Sequence, residues 1–133
     1  MRLTDRPSLP RRSWDMTVFR VDIEVGNLQE TRWEPLQAVG DSGSSYTLLP
    51  RDLLDRLGVT PHDRRPFELA DDSVIHLDVG SAWVRYEGRA EITVVVFGAQ
   101  GQTPLLGAHA MEGLGLGVDP VNHRLIPVRG LLK

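Results

Sequence analysis

The amino-acid sequence predicts an all-β fold. Three observations predict it: apolar residues recur with a period of two in several short stretches, glycine-centred turns separate those stretches, and only two brief segments carry a helical pattern. The 133 residues fit a single domain with one modest core. With 41% hydrophobic and 25% charged residues, the composition is that of a globular chain rather than a disordered one. Cysteine is absent, so disulfides and thiolate chemistry are excluded, and stability must come from packing or from a partner subunit. A net charge of −3 with scattered signs provides no field for nucleic acid. No apolar run is long enough to span a bilayer, and Arg2, Asp5, Arg6, Arg11 and Arg12 interrupt any N-terminal signal core. The expected partners therefore include neither nucleic acid nor membrane, and the expected location is cytoplasmic.

Residues 1–16 read as a flexible arm, with Pro7, Pro10 and several arginines, ahead of a domain over residues 17–130. In that domain Phe19, Val21, Ile23 and Val25 alternate with Arg20, Asp22 and Glu24, the pattern of a half-buried strand. Gly26-Asn27 makes a turn, and a second strand from Trp33 to Val39 leads into Asp41. Pro50 opens and Gly58 closes a short helix over Arg51 to Leu57, since proline suits a first helical turn and glycine the position just past the last. Pro61 to Pro66 reads as a polar connection. Phe67 to Val79 then gives two short strands around the polar tip Ala70-Asp71-Asp72-Ser73, which suits a mobile hairpin. Ala82, Val84 and Tyr86 mark a further strand, and after the Gly88 turn Ile92 to Phe97 is apolar on both faces, which predicts a central strand. Thr103 to Leu106 is a strand closing on Gly107. A helix from Ala108 stops at Gly115, and Val118 to Val128 forms a final hairpin.

The chemistry concentrates in Gln37-Ala38-Val39-Gly40-Asp41-Ser42-Gly43-Ser44-Ser45. A short apolar run delivers one carboxylate into a turn of glycine and small hydroxyl residues, where donors surround its oxygens. Leu105-Leu106-Gly107, far downstream, is the second wall of the same site. In the order strand, Asp-Ser-Gly, short helix, hairpin, strand, Leu-Leu-Gly, helix, Val-Asp-Pro hairpin, the chain from about Phe19 to Val128 resembles the single-domain, retropepsin-like aspartic proteases of the retroviral type. That resemblance implies a small closed β-barrel with one or two short helices, Asp41 as the catalytic residue, Ser42, Gly43 and Ser44 as its loop, Leu105, Leu106 and Gly107 as the supporting loop, and Ala70 to Ser73 as a flap over an extended peptide or protein substrate. It implies neither cofactor nor metal.

Hydrolysis by carboxylates needs one ionised group to take a proton from water and one protonated group to polarise the carbonyl, and two adjacent carboxylates sharing one proton fill both roles. The chain has a single Asp-Ser-Gly and no internal repeat. A homodimer that sets Asp41 beside its symmetry mate is the expected assembly. Within it the resemblance gives Ser42 a bracing role across the two-fold, Gly43 a close backbone approach, and Ser44 a hydroxyl donated to the aspartate. Leu36, Val74, Ile75 and Val96 are the expected subsite residues. Two positions depart from the family pattern. Gly40 stands where an apolar residue usually precedes the aspartate and removes a packing contact there. Asp71-Asp72 places two carboxylates at the flap tip, Asp72 where the family has glycine, so that repulsion across the dimer favours an open flap.

Other readings compete for the same residues. Gly40-Asp41-Ser42-Gly43 also spells a chymotrypsin-like nucleophile loop, but His62, His76, His109 and His123 all follow the serine, and the chain is short for two barrels. Gly113 to Gly117 has the glycine spacing of a nucleotide loop, yet it leaves a helix instead of opening one. His76 and Asp78 share a strand face, too few ligands for a tetrahedral metal. Trp14, Trp33 and Trp83 lack the basic neighbours of a base-stacking platform. The alternative of another class is a protease-like dimer that binds peptides without cutting them.

Overall fold

The computed structural model describes residues 18–132, so the arm expected over residues 1–16, with Trp14, lies outside them. Alternation shapes the first hairpin. In β1 (Val18–Gly26) the side chains of Val21, Ile23 and Val25 are buried, while Arg20 and Asp22 face out. β1 pairs antiparallel with β2 (Trp33–Asp41) over its whole length, from Val18 opposite Asp41 to Gly26 opposite Trp33. Asn27 closes the connection from inside, its Oδ1 accepting the amides of Thr31 and Arg32 at 2.9 and 3.2 Å.

β3 (Thr47–Pro50) leads directly into α1 (Arg51–Leu57). The helix buries Leu53, Leu54 and Leu57 on one face and ends at Gly58, whose φ of 77° is the left-handed conformation that glycine adopts without a Cβ penalty. A long hairpin follows, β4 (Asp63–Glu68) and β5 (Val74–Tyr86), in register from Asp63 opposite Val79 to Glu68 opposite Val74. The stretch expected as a polar connection is thus mostly strand. β4 lies at the sheet edge, where Pro66 costs no ladder hydrogen bond and charged outer residues are admitted. The two strands expected on either side of Gly80 are one strand of 13 residues.

β6 (Arg89–Gly98) runs between β5 and β3, the central place its apolar pattern predicts, and Val95, Val96 and Phe97 are buried. β7 shrinks to Leu105–Leu106, α2 covers Ala108–Gly113, and β8 (Leu116–Asp119) with β9 (Arg124–Pro127) forms a separate two-stranded sheet. In the main sheet the order is β1-β2-β7-β3-β6-β5-β4. The sheet curls back on itself, because β1 also pairs with β5 from Glu24–Arg85 to Gly26–Trp83. Arg85 ties that seam, its guanidinium 3.9 Å over the Trp33 ring and its Nε 2.8 Å from Glu24. Inside the curl lie Val25, Leu49, Leu54, Val84, Phe97 and Leu106.

β7 is short but central. It runs parallel to β2, with Val39 opposite Leu105 and Gly40 opposite Leu106, and antiparallel to β3 at Leu48. The Val39 amide donates to the Pro104 carbonyl at 2.9 Å, and the buried Gly107 amide donates to Thr47 Oγ1 at 3.0 Å. Thr47→Val keeps the shape and removes that acceptor, leaving a buried N–H without a partner. Urea denaturation should show a loss of about 1–3 kcal/mol, with Thr47→Ser close to the parent. Equal stability of the valine variant would mean that this bond does not hold β7 between β2 and β3.

Candidate active site

Asp41 is the last residue of β2 and is half-buried as a residue. One oxygen, Oδ1, accepts the Gly43 amide at 2.9 Å, while the Ser44 amide returns to the Asp41 carbonyl at 3.1 Å, so the loop is a tight turn wrapped around its own acid. A Cβ on Gly43 would lie 3.2 Å from Oδ1. The Ser44 hydroxyl does not donate to the aspartate as expected; it donates to the Tyr46 carbonyl at 2.9 Å, bridging the bend before β3. Ser42 is exposed and borders a hollow of about 370 Å³ with Ala108, Met111, Leu116, Val128 and Leu131.

The Leu105-Leu106-Gly107 segment and the start of α2 lie against this turn. The Ala108 amide donates to the Ser44 carbonyl at 2.7 Å, and the His109 amide to the Ser45 carbonyl at 3.1 Å, so the turn satisfies donors that the first turn of α2 leaves open. Gly107 makes this approach possible, since a Cβ there would sit 2.4 Å from the Tyr46 carbonyl oxygen and 2.9 Å from that of Ser44. Gly40 leaves no gap: it is buried, and Phe19 and Met111 come within 3.5–3.6 Å of where its Cβ would stand. The packing contact expected to be missing is supplied by those two neighbours.

Over the loop hangs the β4–β5 hairpin. Its tip holds Leu69 to Ser73, with the Asp72 amide donating to the Leu69 carbonyl at 2.9 Å and the Leu69 amide to the Ser73 carbonyl at 2.8 Å. Asp72 adopts a left-handed φ of 68°, the conformation a glycine would favour at the position where the resembled family has one. Asp71 is turned inward, its Oδ1 accepting the Ser73 hydroxyl at 2.5 Å and the Ser73 amide at 3.0 Å; the hydroxyl first, then the amide, holds its carboxyl below the usual range. Of the two tip carboxylates one is therefore a turn-former. Ala70 to Ser73 are all exposed.

Between hairpin and loop opens a cleft of about 710 Å³, walled by Tyr46, Leu48, Phe67, Leu77, Val96 and Leu105 beside Gly43 and Ser44. Ile75 and Val96 line it as expected, whereas Leu36 lies half-buried on β2 and Val74 is exposed on the hairpin. Tyr46 and Phe67 were not anticipated as cleft residues. The alternation of Tyr46, Leu48 and Pro50 with Thr47 and Leu49 is the strand signal that would have found the first. At the hairpin base Asp78 lies between two guanidiniums, 2.5 Å from Arg51 of α1 and 3.1 Å from Arg64 of β4. Those cations, Arg51 first, hold its carboxyl below the ordinary range and place it in an ion pair instead of a metal shell with His76. Among the described residues no group of three or more His, Asp or Glu side chains is placed to hold a metal. His62 faces Ser81 and His109 sits edge-on to Tyr46; among the described hydrogen bonds no histidine meets Ser42. No helix among the described residues is long and apolar enough to cross a membrane.

No protein-family model and no curated protein matches the chain. Among solved structures it is similar to the crystal structure of a retropepsin-like aspartic protease from Rickettsia conorii, with a TM-score of 0.52 and 15% identity over 77% of this chain and 76% of that one. At that identity the likeness is one of fold, and the fold is of the retropepsin-like type.

Two outcomes follow from this geometry. Gly107→Ala should cost about 2–3 kcal/mol in denaturant titrations, because its Cβ meets backbone that cannot step aside, whereas Gly40→Ala should stay within about 1 kcal/mol because its Cβ makes ordinary contacts. Asp78 has a depressed folded-state pKa, so its contribution exists above the unfolded carboxylate value and is lost as the pH falls through the folded one. Asp78→Asn should accordingly lower the melting temperature at neutral pH and match the parent at pH below the folded value. A constant deficit down to that pH would rule the ion pair out as its source.

Proposed function

We propose that the chain is an aspartic endopeptidase acting as a homodimer, in which the Asp41 carboxylates of two copies activate one water. The observation that carries this reading is the placement of Asp41. Its carboxylate stands in a turn held against the Gly107–His109 segment, and Gly43 and Ser44 of that turn line a largely apolar cleft under a hairpin. Only Oδ1 is engaged by a described hydrogen bond, which leaves Oδ2 for water or for the partner's acid.

In the reaction the ionised Asp41 takes a proton from water as the water oxygen attacks the peptide carbonyl carbon, and the protonated Asp41 gives its proton to the carbonyl oxygen. The resulting diol collapses as the carboxylate that gave its proton takes one back from a diol hydroxyl, the C=O re-forms and the C–N bond breaks, and the nitrogen leaves carrying the proton the first carboxyl had taken. The apolar surface beside Ser42, including exposed Val128 and Leu131, suits a second copy, with Ser42 reaching the partner's loop. Substrate enters as an extended peptide or unfolded segment, held by main-chain hydrogen bonds from the hairpin as an added strand.

A mixed peptide library incubated across roughly pH 4 to 8, the range over which carboxylates serve as acid and base, should yield cuts that disappear with Asp41→Asn, read by mass spectrometry. A folded wild type that binds peptides and leaves them intact is the non-cleaving module instead. Sedimentation should find dimer at assay concentrations, and full activity from a monomer would end the shared-site mechanism.

A further inference from the structure

The cleft has an internal strut. Tyr46 follows the Asp41 turn directly, and its ring meets two elements at once. Phe67 of β4 stands perpendicular to it with centroids 5.4 Å apart, and His109 of α2 lies edge-on at 5.5 Å. Arg65 shares the β4 face of Phe67, two residues away, and both are half-buried while Arg64, Pro66 and Glu68 face solvent. The guanidinium of Arg65 is raised chiefly by its 2.8 Å hydrogen bond to Asp63, and the Tyr46 hydroxyl adds to that effect. Beyond Phe67 the hairpin carries Leu69, Val74 and Ile75 exposed, so few buried apolar contacts hold its far half.

We propose that Tyr46 is a positioning and specificity-determining residue, which holds the hairpin of its own subunit at a fixed height over the Asp41 turn through Phe67 and thereby sets the width of the cleft. This rests on the reading of the cleft as a peptide site, though not on cleavage. A segment that binds must thread between the loop and a hairpin pinned at one end. A bulky apolar or aromatic side chain fits best there, because it continues the edge-to-face packing and meets Leu48, Leu77 and Val96. Without the ring the hairpin swings free, small side chains are accepted as readily as large ones, and binding weakens.

The test uses Asp41→Asn protein, in which nothing is cut, with and without Tyr46→Ala, Tyr46→Phe or Phe67→Ala. Hydrogen exchange of amides 63–77 should quicken about two- to tenfold in both alanine variants, the scale of one aromatic pair. It should stay near the parent in Tyr46→Phe, while core amides of Leu49 and Val95 are unchanged. A peptide library captured by the parent should be enriched in large apolar residues, and that enrichment should vanish in the alanine variants. Phe67→Ala removes the contact from an exposed hairpin and so decides the matter even where Tyr46→Ala fails to fold. Unchanged exchange in Phe67→Ala, or retained enrichment, overturns the proposal. Absence of cleavage by the wild type bears on the peptidase reading alone.

Discussion

The arrangement around Asp41 depends on one buried contact, the Gly107 amide on Thr47 Oγ1. It fixes β7 between β2 and β3, and from there the chain can deliver the next two amides to the carbonyls of Ser44 and Ser45. The acid-bearing turn is therefore held from below by main chain and does not rely on its own few hydrogen bonds. Two residues without side chains enable this, Gly107 under the turn and Gly43 within it. Under the turn backbone packs on backbone, at distances a single methyl group at Gly107 would spoil.

Above the cleft the physical situation is the opposite. The hairpin is long, its tip is exposed, and what steadies it is local: an aspartate folded onto its own turn, a salt-bridged base at Asp78, and aromatic edges at Tyr46. Each of these is a small interaction near solvent, so the hairpin can be displaced at modest cost while the floor stays put. The cleft thus lies between a floor held by main chain and a cover held by side chains.

Much of this was legible in the residues. Alternation located β1 and β2, the double-faced apolar run placed β6 at the centre, and the pairing of Asp41-Ser42-Gly43 with Leu105-Leu106-Gly107 brought together two segments that do touch. The misreadings have a common cause. Pro66 and the charges of β4 looked like a connection because an edge strand is allowed the polar residues that mark a loop. The strands expected to end at Val79 and to resume at Ala82 are one because Gly80 sits inside β5 beside Phe97, where its missing Cβ accommodates that ring. The Ser44 hydroxyl was assigned to the aspartate by analogy, although the nearby Tyr46 carbonyl takes it. Local pattern finds elements; it does not say which of two nearby acceptors a hydroxyl will choose.

The Gly107–Thr47 contact also has a consequence in time. Its two partners are sixty residues apart in sequence, and the strand that completes the site comes after both helix α1 and the long hairpin. Contacts of such separation form late in folding and are slow to nucleate. During synthesis the Asp41 turn leaves the ribosome well before Gly107 and α2 exist to clamp it. The nascent chain thus carries the acid without a scaffold for it, and the geometry of the site is withheld until the C-terminal third of the domain has been made.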